Sequence, residues 1–123
     1  MFRLVELLPT FTANPPDPFY VLEDNNITLV WQYNLSGSFD DVLLRFIGST
    51  ATLTIVDKFD LNSDAKVKES IYQGRIQENI NTTQAEVTIF ALKRSESGEY
   101  EIELINGNRD RASNRVTVQV QCK

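Results

Sequence analysis

Apolar residues occupy every second position over long stretches of this sequence. Alternation with a period of two is typical of a β-strand that buries one face and exposes the other. Turn-forming residues separate the runs, and no segment keeps a helical period over three turns. We therefore expect about eight or nine short strands, packed as a sandwich. The alternating runs are residues 27–33, 42–46, 53–55, 87–89, 100–104 and 116–120.

The beginning of the chain and one internal segment depart from this alternation. All four prolines lie within the first 18 residues. Proline cannot donate a hydrogen bond to a sheet ladder, so this part is expected to form an edge strand interrupted by an extended kink. Residues 60–70 are polar and are expected to form either one short strand or a mobile loop.

Length and composition restrict the possible functions. The chain has 123 residues, which fits one domain, and its net charge of −5 argues against a nucleic-acid or anionic-membrane surface. The absence of histidine excludes Ser-His-Asp and Cys-His catalysis, and the single cysteine, Cys122, cannot form a disulfide within the chain. No apolar run reaches the roughly 18 to 20 residues of a membrane span. We expect no enzymatic activity, no metal or other cofactor, no nucleic-acid partner and no membrane insertion by this segment.

One segment carries a more specific motif. Residues 85–92 alternate and end in a leucine, and residues 96–102 then read Glu-Ser-Gly-Glu-Tyr-Glu-Ile. This segment resembles the E-to-F region of a variable-type immunoglobulin domain, where the family pattern is Asp-x-Gly-x-Tyr-x-Cys. Residues 26–31 are similar to strand B of that family, and the resemblance covers roughly residues 15–121. It implies an all-β, Greek-key, V-type immunoglobulin sandwich formed by residues 1–123 as a single domain.

The resemblance also implies roles for individual residues. Gly98 would form the tight E–F corner, and the Tyr100 hydroxyl would bond to nearby backbone. Arg75 would begin strand D and pair with Glu96 at the same corner. The Phe-Gly-x-Gly joining motif of antigen receptors is missing, which leaves the wider group of adhesion and recognition domains.

The two cysteines of the family pattern are replaced here. Trp31 and Ile102 stand at their positions, and Leu44 stands where the family has its strand C tryptophan. Losing such a disulfide costs about 2–5 kcal/mol. Burying a large apolar side chain returns about 1.5–3 kcal/mol. We therefore expect Trp31 and Ile102 to face each other between the two sheets.

Three Asn-x-Ser/Thr sequons favour a secreted protein, although asparagine is frequent enough for such motifs to arise by chance. The acceptors are Asn26, Asn34 and Asn81. On the predicted strands all three lie on or beside the A-B-E-D sheet. None lies on strands C, C′, F or G.

The opposite face carries the candidate binding residues. The outward side chains of strands C, F and G should combine apolar, basic and acidic groups, and the F–G loop should be an Asn-Gly type I′ turn. The acidic stripe is either a solvated face or a partner for a basic surface; a calcium site fits poorly. The apolar pair is either shielded by neighbours or part of an interface, and the loop is either a plain turn or a contact. The candidates are Leu43, Arg45, Ile47, Glu99, Glu101, Glu103, Arg109, Arg111 and Arg115.

These observations predict a non-catalytic recognition or adhesion domain. It would bind a protein, another immunoglobulin-like domain of the same or a related molecule, through the G-F-C-C′ face. The alternative is a structural spacer with no ligand of its own. We expect the domain to be excised from a larger multi-domain extracellular protein, located at the cell surface or secreted, in which Cys122 is either a free thiol or a bridge to a neighbour.

Overall fold

The protein is described by a computed structural model that covers residues 8–122. Ten strands and two single-turn 3-10 helices make up the regular structure of this part of the chain. The strands are β1 Thr10–Ala13, β2 Phe19–Leu22, β3 Ile27–Asn34, β4 Phe39–Ile47, β5 Thr52–Lys58, β6 Lys66–Val67, β7 Ile76–Ile80, β8 Gln84–Ile89, β9 Gly98–Asn106 and β10 Arg111–Gln121. The 3-10 turns are Ser70–Tyr72 and Arg94–Glu96.

The strands form two sheets that enclose the core. The four-stranded sheet has the order β1-β3-β8-β7, and the six-stranded sheet has the order β2-β10-β9-β4-β5-β6. In immunoglobulin letters these are A-B-E-D and A′-G-F-C-C′-C″. The predicted all-β sandwich is thereby confirmed.

The number of strands exceeds the prediction of eight or nine. The proline-rich segment supplies two edge strands, because β1 pairs with β3 in one sheet while β2 runs parallel to β10 in the other. The polar segment 60–70 contributes the two-residue strand β6 beside β5. Both features are too short for a periodic pattern to reveal.

The core contains the two side chains that the resemblance places at the cysteine positions of the family pattern. Trp31 on β3 and Ile102 on β9 are each fully buried. The Trp31 indole N–H crosses between the sheets and donates to the Asn114 side-chain oxygen at 3.0 Å. Asn114 is the β10 residue paired with Ile102, and Leu44 pairs with Ile102 on the other side. Trp31 therefore reaches the Leu44–Ile102–Asn114 row, as the prediction of facing residues requires.

The E–F corner holds a network around one arginine. Arg75 donates to Glu96 at 2.8 Å and to the backbone carbonyls of Phe90 and Ala91 at 3.0 and 3.1 Å. The Tyr100 hydroxyl donates to the Glu96 carbonyl at 2.7 Å. Both contacts predicted from the resemblance are present, and they join β7, the E–F turn and β9.

Gly98 has a backbone conformation that only glycine adopts readily. Its φ is 151°, and a Cβ built there would lie 2.9 Å from Cε1 of Phe46. The expected tight corner therefore depends on this residue for two separate reasons.

The predicted type I′ turn in the F–G loop is wrong. A type I′ turn needs positive φ at Asn106 and Gly107, and neither has it, whereas Arg109 does, at 66°. The Arg109 N–H donates to the Asn106 carbonyl at 2.8 Å, and the Asn106 side-chain oxygen accepts from the backbone of Asn108 and Asp110. The buried Asn106 side chain shapes this loop. A Cβ at Gly107 would lie 1.9 Å from the Ser38 hydroxyl oxygen, so a larger residue there would require the Ser38 side chain to rotate.

Candidate functional site

The candidate site is the outer face of the six-stranded sheet, meaning the outward side chains of β4, β9 and β10. Strand alternation directs one set of side chains into the core and the other set outward. The register then places the outward residues of the three strands in rows, because Glu101 pairs with both Arg45 and Arg115. The outer face comprises Leu43, Arg45, Ile47, Glu99, Glu101, Glu103, Arg111 and Arg115.

The charged members of this face bond to one another. Arg45 lies between two carboxylates, 3.4 Å from Glu101 and 2.9 Å from Glu103. Arg115 contacts Glu101 at 2.9 Å and Glu99 at 3.2 Å. Arg111 contacts Glu103 at 3.4 Å. We call these six residues the Arg–Glu ladder; its three positive and three negative charges cancel.

The ladder changes the predicted character of this surface. The side chains of Glu101 and Glu103 are each 16% exposed, whereas those of Arg111 and Arg115 are 62% and 57% exposed. The expected acidic stripe is therefore covered by guanidinium groups at Glu101 and Glu103 but is open at Glu99, whose side chain is 46% exposed. The accessible charges of this face are the guanidinium groups of Arg111 and Arg115 and the carboxylate of Glu99.

The apolar members of the face are less exposed than predicted. Leu43 and Ile47 are partly buried among the side chains around them. In the sheet, Leu43 stands between Asp57 and Glu103, and Ile47 between Thr52 and Glu99. The long neighbouring side chains shield part of each apolar surface, and the remainder is open to solvent.

A pair of aspartates that the alternating pattern does not predict lies at one end of this face. Asp41 on β4 and Asp57 on β5 are both partly buried. Burial raises the pKa of Asp41 to about 7, and hydrogen bonding to Asp57 and repulsion from it add to the shift. Nothing in the local sequence brings these two residues together. Only the register of β4 against β5 does so.

The F–G loop contributes its two arginines unequally. Arg111 belongs to the ladder, while Arg109 is exposed in the loop itself. The loop packs on the β3–β4 turn, since the Asn106 amide donates to the Leu35 carbonyl at 2.9 Å and the Gly107 N–H to the Ser38 carbonyl at 2.9 Å. An interface role for Arg109 stays a prediction.

The three sequon asparagines are all exposed and lie at the ends of the four-stranded sheet. Asn26 precedes β3, Asn34 ends it, and Asn81 lies in the β7–β8 turn. Tyr33 donates its hydroxyl to the Asn81 carbonyl at 2.8 Å, so Asn34 and Asn81 share one end of the sandwich. In each asparagine the side-chain oxygen accepts a backbone N–H, as when Asn81 accepts from Thr83 at 2.9 Å.

Residues 8–122 contain no group of three or more acidic, cysteine or histidine side chains placed to bind a metal ion. Within the same residues, no helix has the length and apolar character needed to cross a membrane. The thiol of Cys122 is exposed, and Arg94 donates to its sulfur at 3.0 Å.

No family model and no curated protein sequence matches this chain. Solved structures do match it in fold. Murine CRIg is 13% identical over 94% of this chain and 98% of its own, with a TM-score of 0.69. The first immunoglobulin domain of Dpr1, solved bound to that of DIP-eta, is 15% identical over 98% and 100%, with a TM-score of 0.66.

The extracellular domain of the voltage-gated sodium channel β4 subunit is a third such structure. It is 21% identical over 86% of this chain and 91% of its own, with a TM-score of 0.63. At these identities the similarity establishes the fold and nothing finer. The chain has the fold of a variable-type immunoglobulin domain, and it lacks the disulfide that joins the two sheets in that family.

Proposed function

We propose that this domain is a non-catalytic recognition module that binds protein through the outer face of its six-stranded sheet. The observation that carries the proposal is the composition of that face: a charge-balanced Arg–Glu ladder beside the partly open apolar side chains of Leu43 and Ile47, which lie on β4 on either side of Arg45. Apolar contacts combined with paired charges are common in protein–protein interfaces.

The finer form of the proposal is that the partner is a second copy of this domain. A two-fold contact brings the same surface together twice, so that surface must be complementary to itself. The ladder meets this condition because it exposes the Glu99 carboxylate as well as the guanidinium groups of Arg111 and Arg115. Among proteins of the same fold, the sodium channel β4 domain forms parallel homodimers with a role in cell–cell adhesion. That domain is a precedent for self-association by this fold.

The sequons support the choice of face. We propose that Asn26, Asn34 and Asn81 carry N-linked glycans in a secreted or cell-surface protein. Glycans there would cover both ends of the four-stranded sheet and would leave the outer face of the other sheet free. They would also crowd the end of the sandwich at which the Arg109 loop lies, so binding is better placed on the face than at the tip.

The test is to place a lysine on each sheet in turn and to measure self-association by sedimentation velocity of the glycosylated domain. Leu43→Lys puts a charge on the outer face between Asp57 and Glu103, whose carboxylates can pair with it within the monomer. Val30→Lys is the matched control, because Val30 is a partly buried, outward apolar residue of the four-stranded sheet opposite Glu86.

We expect the parent to associate weakly, with a dissociation constant on the order of micromolar, and to gain strength from many copies on a surface. Leu43→Lys should weaken association at least roughly tenfold, and Val30→Lys should leave it unchanged. If the two variants change the dissociation constant equally, the interface does not lie on this face. A parent that stays monomeric at the highest concentration would contradict self-recognition and favour a different partner or a spacer role.

A further inference from the structure

Asp41 and Asp57 are neighbours on the outer surface of β4 and β5. Leu43 pairs with Asp57 in the sheet, and Asp41 lies two residues before Leu43 on the same side of its strand. One carboxyl oxygen of each aspartate, Oδ1, is sealed from solvent and has no hydrogen-bond partner among the described residues if both groups are ionised. An ionised carboxylate can only accept, so these two oxygens can bond to each other only if one group carries a proton.

The surroundings favour that protonated form. Burial raises the pKa of Asp41 to about 7, with further contributions from hydrogen bonding to Asp57 and from the negative charges of Asp57 and Asp40. The Val42 N–H acts in the opposite direction and lowers it. Two carboxyl groups this close in a partly desolvated place cannot both ionise without a large cost.

The charges around the pair decide which member holds the proton. Lys68 lies 3.9 Å from Asp57, and Lys66 pairs with Asp57 in the sheet. The positive charge of Lys68 therefore stands beside Asp57, whereas the ammonium of Lys66 lies over the Phe59 ring, 5.3 Å from its centre. On β9 and β10, Asp41 faces the apolar Ile105 and, beyond it, Arg111, whose guanidinium is bonded to Glu103. The proton is therefore better placed on Asp41.

We propose that Asp41 and Asp57 hold one proton between them and that this proton controls binding through the outer face, which strengthens as the pH falls. The inference rests on the proposed function for its second half. With the proton, the pair carries one negative charge beside Leu43; without it, the pair carries two. Bringing two copies together would then cost both repulsion and desolvation, so association is linked to proton uptake.

The first measurement uses dilute, monomeric protein and is independent of association. The folded state holds the Asp41 proton more tightly than the unfolded chain does. The contribution of Asp41 to the free energy of unfolding should therefore be greatest below about pH 4, fall as the pH rises to about 7, and level off above that. In Asp41→Asn the side chain cannot ionise, and its amide can donate to Asp57. The free energy of unfolding of this variant should therefore lack that dependence on pH. Asp64→Asn, in the exposed β5–β6 loop, makes the same change in charge and should retain it.

The second measurement is the dissociation constant for self-association at about pH 5.5 and about pH 8. Parent association should weaken roughly 10- to 100-fold between the two, because each copy must take up one proton. Asp41→Asn should associate equally well at both. The chain has no histidine, so ordinary side chains add little in this range, and the terminal amine is common to both proteins.

The outcomes separate the two proposals. If the free energy of unfolding depends on pH in the same way in the parent and in Asp41→Asn, the proposal of a shared proton is overturned. Association that is equally strong at both pH values in the parent would overturn its control of binding while leaving the proposed interface intact. A stability slope with no association at any pH would overturn self-recognition, and the control of it, while the shared proton itself would stand.

Discussion

For single residues, the alternating pattern predicts which side chains are buried but does not predict their hydrogen-bond partners. Trp31 and Ile102 fall at inward positions of two predicted strands, and both are fully buried. Asn114 falls at an inward position as well, in phase with three valines of β10. A polar residue there signals a buried partner, but the sequence does not reveal which one. The structure identifies it as the Trp31 indole N–H on the opposite sheet.

The Trp31 position yields the first prediction. Trp31→Ala should destabilise the domain by about 3–5 kcal/mol, since it leaves a large cavity where the family has its disulfide. Asn114→Ala should cost about 1–2 kcal/mol by leaving the indole N–H without its acceptor. Urea unfolding measures both. Tyr20→Ala is the control, because Tyr20 is 58% exposed and its loss should change the free energy of unfolding by under about 0.5 kcal/mol. A cost below about 1 kcal/mol for Trp31→Ala would be incompatible with the core described above.

At the scale of elements, long alternating strands are predictable and their connections are less so. Residues 27–33 and 100–104 alternate strongly, and β3 and β9 form there. Asn106-Gly107 alone predicts a type I′ F–G turn, and the structure has a different turn there. Its conformation depends on the Asn106 amide bonding to the β3–β4 turn, which lies 71 residues away in sequence. Local propensity cannot include a contact of that range.

The E–F corner gives the prediction for this scale. Arg75→Met and Glu96→Gln should each cost about 1–3 kcal/mol, because each leaves a partly buried polar group without its charged partner. The double variant should cost at least about 1 kcal/mol less than the sum of the two. Glutamine at 96 can still accept from the Lys93 N–H, so the turn itself is preserved.

A surface ion pair supplies the control for that cycle. Lys93 and Asp24 also form an ion pair, and their side chains are 59% and 45% exposed. The cycle of Lys93→Met and Asp24→Asn should show little or no coupling, because water screens this exposed pair. If the Arg75–Glu96 coupling is no larger than this surface value, the pair does not join β7 to the E–F turn in the way described.

For the whole molecule, the sequence is sufficient to predict a sandwich and to distinguish its two surfaces. Sequons and outward charges can be assigned to a face once strands are assumed. The sequence does not specify which charges meet, because pairing across strands depends on register. Arg45 contacts Glu101 and Glu103 across 56 and 58 residues, and Asp41 meets Asp57 only through the alignment of β4 with β5. The neutral ladder and the shared proton follow from these alignments.

The most direct test of the central claim is to invert the Arg–Glu ladder and mix the inverted domain with the parent. All six residues exchange sign, arginine for glutamate and glutamate for arginine, so pairing within each chain is kept. Thermal unfolding confirms that the variant is folded, and sedimentation of labelled protein then measures like and unlike pairs. If two copies meet through the outer face, the inverted domain associates with itself about as well as the parent does, while the mixed pair is at least roughly tenfold weaker because like charges face each other. Mixed pairs as strong as the like pairs would contradict the outer face as the binding surface.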